Sequence, residues 1–68
     1  MDVQAEVADL EAHVWALTVR VRRDCVAVKR KRALRSDPAW TEAQLRASRL
    51  ELSRERRRLA ALRETSQP

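Results

Sequence analysis

Two apolar stripes share one helix-length segment in the first half of this chain, and this double pattern most constrains the fold. Apolar residues recur at alternating four- and three-residue steps over residues 3–28, which is the heptad spacing of a coiled-coil helix. One slot of the series holds Asp24, which either sets the register of packing or marks the end of the seam. We call this series the Val/Leu stripe, and its members are Val3, Val7, Leu10, Val14, Leu17, Val21 and Val28.

A second apolar series lies on another side of the same helix. Its centre is about 150° away from the Val/Leu stripe when each residue advances by about 100°. A helix that is apolar on two sides must be covered on two sides. We expect one cover from the rest of this chain, and the other from a second copy or a different protein. We call this series the Ala/Trp stripe, and its members are Ala5, Ala8, Ala12, Trp15, Val19 and Val26.

A strong stop signal separates the two halves of the chain. Pro38 cannot lie inside a helix without losing a hydrogen bond, and it holds the preceding Asp37 in an extended conformation. An Asp followed by Pro is also a favourable helix start, with Asp as the N-cap. Trp40, just after this start, is predicted to pack across the turn. The sequence predicts helix 1 over about 2–35, a turn over 36–38, helix 2 over about 38–63 and a frayed tail over 64–68.

The fold class that follows is all-α, with residues 1–68 forming one domain. The second helix repeats Leu45, Leu52 and Leu59 every seven residues, and the connection is short, so we expect a coiled-coil-like antiparallel hairpin. With 68 residues and a single Cys, the chain has neither a large core nor an internal disulfide. We therefore expect two hairpins to pair into a four-helix bundle.

Charge is distributed unevenly along the chain. Residues 1–19 hold four acidic residues and no Lys or Arg, whereas residues 20–35 hold eight basic residues against Asp24, and the whole chain carries a net charge of +5. An antiparallel hairpin brings Arg46 and Arg49 to the same end as residues 20–35. The sequence thus predicts a rod with one basic pole, which is either a contact surface for a polyanion or the solvated end of a helix.

Several classes of function lack support in the sequence. There is no nucleophile–base set, phosphate-binding loop or cofactor motif, so we expect no enzyme activity, no cofactor and no small-molecule substrate. A metal site is not expected from one Cys and one His. No apolar run reaches the roughly 20 residues of a membrane span, and the acidic N-terminus does not resemble a signal peptide, so we expect a cytoplasmic protein.

Helix docking is the function that the stripes favour. We expect a small regulatory or assembly protein whose partner is itself, as a homodimer, or another helical protein. The residues predicted to contact that partner are Val7, Leu10, Val14, Trp15, Leu17 and Val21. The alternative is a dimeric basic bundle that binds DNA or RNA. The residues predicted to contact nucleic acid are Arg20, Arg22, Arg23, Lys29, Arg30, Lys31, Arg32, Arg35, Arg46 and Arg49.

Overall fold

The computed structural model describes residues 2–66, with the side chains of 2–65, and contains two α-helices. These are α1 (Val3–Ala33) and α2 (Ala39–Ser66), which pack against each other, and the described residues include no strand. The all-helical, two-helix prediction is therefore confirmed. The molecule is a rod of 53 × 16 × 14 Å, and its radius of gyration of 15.6 Å exceeds the roughly 11 Å of a compact chain of this length.

Side-chain pairs across the two helices show that they run antiparallel. Arg32 pairs with Glu42 beside the turn, while Arg63 lies 3.4 Å from Glu11 at the far end. The end of α1 therefore lies beside the start of α2, and the start of α1 lies beside the end of α2. The chain folds back on itself as a hairpin instead of continuing as a bent rod.

The Val/Leu stripe forms the seam of this hairpin. Its best-buried members on α1 face a leucine heptad on α2, so each helix contributes one row of apolar side chains. Among the described residues, none reaches the full enclosure of a globular core, and Leu17 is the most buried apolar residue at 3% exposure. The buried apolar residues of the seam are Leu10, Leu17, Val28, Leu45, Leu52 and Leu59.

Polar residues interrupt the seam near the turn, and they meet each other across it. Ser48 donates a hydrogen bond from Oγ to Oδ2 of Asp24 at 3.5 Å. Lys31 donates from Nζ to Oγ1 of the buried Thr41 at 2.7 Å. The seam thus continues past Asp24 with these polar pairs on either side of the buried Val28 and Leu45, and the pairs satisfy buried polar groups that would otherwise be unpaired.

The turn uses a helix-ending motif without the usual glycine. Ser36 N–H donates to the Lys31 carbonyl at 2.8 Å, and Arg35 N–H donates to the Arg32 carbonyl at 3.1 Å, which is the bonding pattern of a Schellman motif. Arg35 adopts a φ of 56°, a left-handed conformation that glycine or asparagine normally occupies. Because of this motif α1 ends at Ala33, two residues before the predicted end.

The start of α2 confirms the stop signal in the sequence, and its end differs from the prediction. Asp37 accepts a hydrogen bond at Oδ1 from Ala39 N–H at 2.9 Å, and the Pro38 carbonyl accepts from Glu42 N–H at 2.8 Å. At the other end, the helix continues to Ser66, past the predicted end at 63. Thr65 stays helical while donating its hydroxyl to the Leu62 carbonyl at 2.9 Å. The remainder of the predicted tail, residues 67–68, lies outside the described residues.

Candidate helix-docking interface

The Ala/Trp stripe lies on the outer face of α1, turned away from α2. Trp15 is 64% exposed and Val26 is 61% exposed, while Val19 between them is half-buried. The alanines of the stripe, Ala8 and Ala12 among them, are exposed as well. A tryptophan and a valine this exposed on the face opposite the seam are the features that distinguish this surface from an ordinary solvated helix.

The structure places the six predicted partner-contact residues in three different surroundings. Leu10 and Leu17 are buried against α2, so the hairpin itself covers them, and their contact with a partner stays a prediction. Trp15 alone of the six lies on the exposed outer face. The other three are half-buried on the seam side, namely Val7, Val14 and Val21.

Val19 and Val26 were missing from the predicted contact set, although both belong to the Ala/Trp stripe. Their place in that stripe could have identified them, because all residues of one stripe lie on the same face of the helix. If α2 covers the opposite face, the whole stripe is left on the outer face. The sequence pattern does not say which stripe α2 covers, and so it could not make this choice.

Cations surround the apolar floor of the outer face. A shallow groove there is floored by Trp15, Val19 and Val26 and edged by side chains that include Arg22, Arg23 and Arg30. Arg22, Arg23 and Arg30 are exposed, and within the part of the chain that the structure describes none of these three has an ion pair. The outer face of α1 thus combines an exposed apolar floor with a basic edge.

Trp40 does not pack across the turn as predicted. It is 70% exposed, although the next residue, Thr41, is buried in the seam. Trp40 therefore offers a close structural counterpart of Trp15, a similarly exposed indole on the other helix of the hairpin.

The predicted nucleic-acid contacts are spread around the hairpin and do not form one continuous face. Arg22, Arg23 and Arg30 edge the outer groove of α1. A second group lines a groove between the two helices, around Cys25 and Leu45, and consists of Lys29, Arg32, Arg46 and Arg49. Arg20 lies in another groove, with Gln44, Ala47, Ser48 and Glu51. Arg35 is exposed in the turn.

Some of these basic residues have structural partners within the hairpin. Arg32 donates from Nε to Oε1 of Glu42 at 3.1 Å, and Lys31 donates to Thr41 across the seam. Arg49 donates from Nη2 to the Cys25 sulfur at 3.2 Å. These residues therefore fasten the turn end of the hairpin as well as adding to its charge.

Three further findings concern membrane spans, metal ligands and similarity to known proteins. In residues 2–66, neither helix is both long and apolar enough to cross a membrane. Where side chains are described, no three of His, Cys, Asp and Glu cluster as metal ligands would. Comparisons of this chain with protein-family models, with curated proteins and with solved structures find no match.

Proposed function

We propose that this protein is a small, non-enzymatic regulatory or assembly protein that acts by docking the Ala/Trp stripe of α1 on a helix of a partner. The observation that carries the proposal is the exposure of Trp15 and Val26 on a face that α2 does not reach. Trp at the centre of a contact surface commonly supplies a large share of its binding energy. The proposal places the protein in the cytoplasm, as expected from the sequence.

The small core of the hairpin also supports the proposal that the protein binds a partner. Six apolar residues form its buried core, and none of the described side chains is fully enclosed. A helical protein of this size often depends on association to complete its core. Docking on the outer face would bury Trp15 and Val26 without disturbing the Leu17 seam, so folding and binding use different faces of α1.

The test compares two tryptophans that are similarly exposed. Native mass is measured for the protein purified from the cells that produce it, in the wild type, in Trp15→Asp and in Trp40→Asp. We expect a complex, with a second copy or another helical protein, that Trp15→Asp abolishes and Trp40→Asp retains. A bare monomer in the wild type, or equal loss of the complex in both variants, would contradict the proposal.

Nucleic-acid binding is the second candidate, and one grouping of cations favours it. Lys29, Arg46 and Arg49 line the same groove at the turn end, where the two helices contribute to one basic patch. Such a patch can contact a phosphate backbone without reading sequence, and binding of that kind weakens steeply as salt concentration rises.

A mobility-shift assay with duplex DNA and with RNA at about 50 mM salt tests this second function. We expect Lys29→Gln with Arg46→Gln and Arg49→Gln to remove the shift. The matched control carries Arg54→Gln, Arg56→Gln and Arg57→Gln, which removes the same charge at the other end of α2. Lys31 and Arg32 are left intact because they pair with residues of α2 beside the turn, and circular dichroism checks that losing the contact of Arg49 with Cys25 leaves the hairpin helical. No shift by the wild type at this salt concentration would exclude the candidate.

A further inference from the structure

The outer face of α1 has a two-fold pattern in side-chain size. In its first half the Ala/Trp stripe is made of alanines, and in its second half it carries Trp15, Val19 and Val26. If two copies of α1 lay side by side in opposite directions, the alanine-rich end of one copy would lie against larger residues of the other, while Trp15, near the middle, would lie against Val19. In a parallel pair, alanine would face alanine and tryptophan would face tryptophan, which packs less well.

Heptad positions define which residues would meet. The residues of the stripe fall in two rows with a seven-residue repeat. One row is Ala5, Ala12, Val19 and Val26, and Ala8 and Trp15 begin a second row that continues beyond the stripe as Arg22 and Lys29. In an antiparallel coiled coil each row packs against the other row of the opposite helix. With the two-fold axis between Trp15 and Val19, each Trp15 packs against Val19 of the second copy, and each Ala8 packs against Val26 of the second copy.

The two basic residues that continue the second row, Arg22 and Lys29, fit the same alignment. Arg22 of one copy would lie opposite Ala12 of the other, and Lys29 would lie opposite Ala5. Long basic side chains can cover a small residue with their methylene stems while the charged group stays in water.

A flanking row of charges repeats this two-fold pattern independently of size. Every seventh residue along one edge of the stripe is Asp2, Asp9, Ala16, Arg23 and Arg30, and all five are exposed. At this edge of an antiparallel coiled coil, the row of one helix meets the same row of the other in reverse order. Asp2 then faces Arg30, Asp9 faces Arg23, and Ala16 faces its own copy on the two-fold axis.

These charges are available for such contacts. Within residues 2–66, Asp9, Arg23 and Arg30 have neither an ion pair nor a side-chain hydrogen bond, and Asp2 caps α1 by accepting from Gln4 N–H at 3.0 Å. Opposite charges across the interface set the direction of pairing, since a parallel alignment would bring basic halves together.

We infer that the occupant of the outer face is a second copy of this chain, docked antiparallel through α1 with the two-fold axis close to residue 17. This inference rests on the proposed function and identifies its partner. Because the Ala/Trp stripe lies opposite the seam, the four helices form a flat array in the order α2, α1, α1 and α2, not a square bundle.

Charge swaps test the inference on the recombinant chain alone. Dimer dissociation is measured by sedimentation equilibrium for Asp9→Lys, for Arg23→Glu and for the chain carrying both. Each single swap turns two attractive pairs per dimer into repulsive ones, so we expect dimerisation to weaken roughly tenfold. The double variant restores attraction in an antiparallel dimer and should recover wild-type affinity. An equimolar mixture of the two single variants should recover it too.

Arg54→Glu is the matched control, since it reverses an exposed arginine on α2 and should leave dissociation unchanged. Circular dichroism on every variant checks that the hairpin stays helical. If the single swaps weaken dimerisation and the double variant does not restore it, the antiparallel pairing is overturned. Monomeric wild type that binds phosphatidylserine vesicles through Trp15 would overturn the second copy as occupant.

The two proposals fail in different ways. A recombinant wild type that remains monomeric, beside a Trp15-dependent complex with another protein in the native cells, would overturn the second copy and leave helix docking intact. A monomer in both preparations would overturn both.

Discussion

The two apolar faces of α1 have nearly the same sequence pattern and opposite surroundings. Leu17, on the seam side, is 3% exposed, and Trp15, two residues earlier on the outer side, is 64% exposed. The difference arises from α2, which carries a single leucine heptad and can therefore cover only one face. Covering one apolar face creates the hairpin, and the other apolar face stays exposed, which is the surface that we propose docks on a partner.

The charges of the two faces differ as well. Around the seam, charged and polar groups are paired within the chain, as in Lys31 with Thr41 and Arg32 with Glu42. Around the outer face, Arg23 and Arg30 have no such partners in the described part of the chain. These outer charges are the ones that we propose pair with a second copy of the chain.

The largest effect should separate the two faces directly. We expect Leu17→Ala to lower the free energy of unfolding by about 2–4 kcal/mol, because it leaves a cavity in the apolar seam between the two helices. Trp15→Ala should change it by less than about 0.5 kcal/mol, because an exposed side chain is removed. Urea denaturation, followed by circular dichroism at a concentration where the chain is monomeric, measures both. Equal losses would mean that the outer face also supports the fold.

A second change concerns the polar layer of the seam. Replacing Asp24 with Leu together with Ser48→Ala should raise the free energy of unfolding by about 1 kcal/mol, since removing both partners of a weak buried polar pair leaves no group unsatisfied. Asp24→Leu alone should gain less, because it leaves the Ser48 hydroxyl without its partner. Thermal unfolding of the three chains checks this order, and a net loss in the double variant would show that the polar pair stabilises the seam.

The helix stop and the hairpin could be predicted from the sequence, for local reasons. Asp37 and Pro38 act through their own backbone geometry, and the Leu45, Leu52 and Leu59 repeat needs only helical spacing. The choice of stripe could not be predicted, because two stripes of equal period differ only in their fit to α2. The exposure of Trp40 could not be predicted either, because the direction of its side chain depends on the exact length of the turn.

The conformation of Arg35 was also beyond prediction, because the residues around it contain neither glycine nor asparagine to mark a left-handed position. Within the candidate site, the row of charges from Asp2 to Arg30 points to a docking surface only once the structure shows that α2 does not cover the outer face. Its spacing is visible in the sequence, but so are several other rows of equal period.

The smallest predicted effect comes from a substitution in the turn, which should change the stability of the hairpin without changing the outer face of α1. Arg35→Gly removes the steric cost of a left-handed arginine and should raise the free energy of unfolding by about 0.5–1 kcal/mol. Dimer dissociation should stay the same, because the turn lies away from the docking stripe. Chemical denaturation and sedimentation of the same sample test both parts, and a destabilised variant would contradict the helix-ending role given to this residue.

The most direct test of antiparallel docking through α1 is a disulfide cross-link between two differently marked chains. In a Cys25→Ser background, a chain with Ala8→Cys is mixed with a chain with Val26→Cys and oxidised under mild conditions. Positions 8 and 26 lie about 27 Å apart along one helix, so they can meet only in opposite directions. Antiparallel docking predicts the mixed disulfide and little of either homodisulfide. Predominant Val26→Cys homodisulfide, or no cross-link at concentrations where the chain is dimeric, would contradict it.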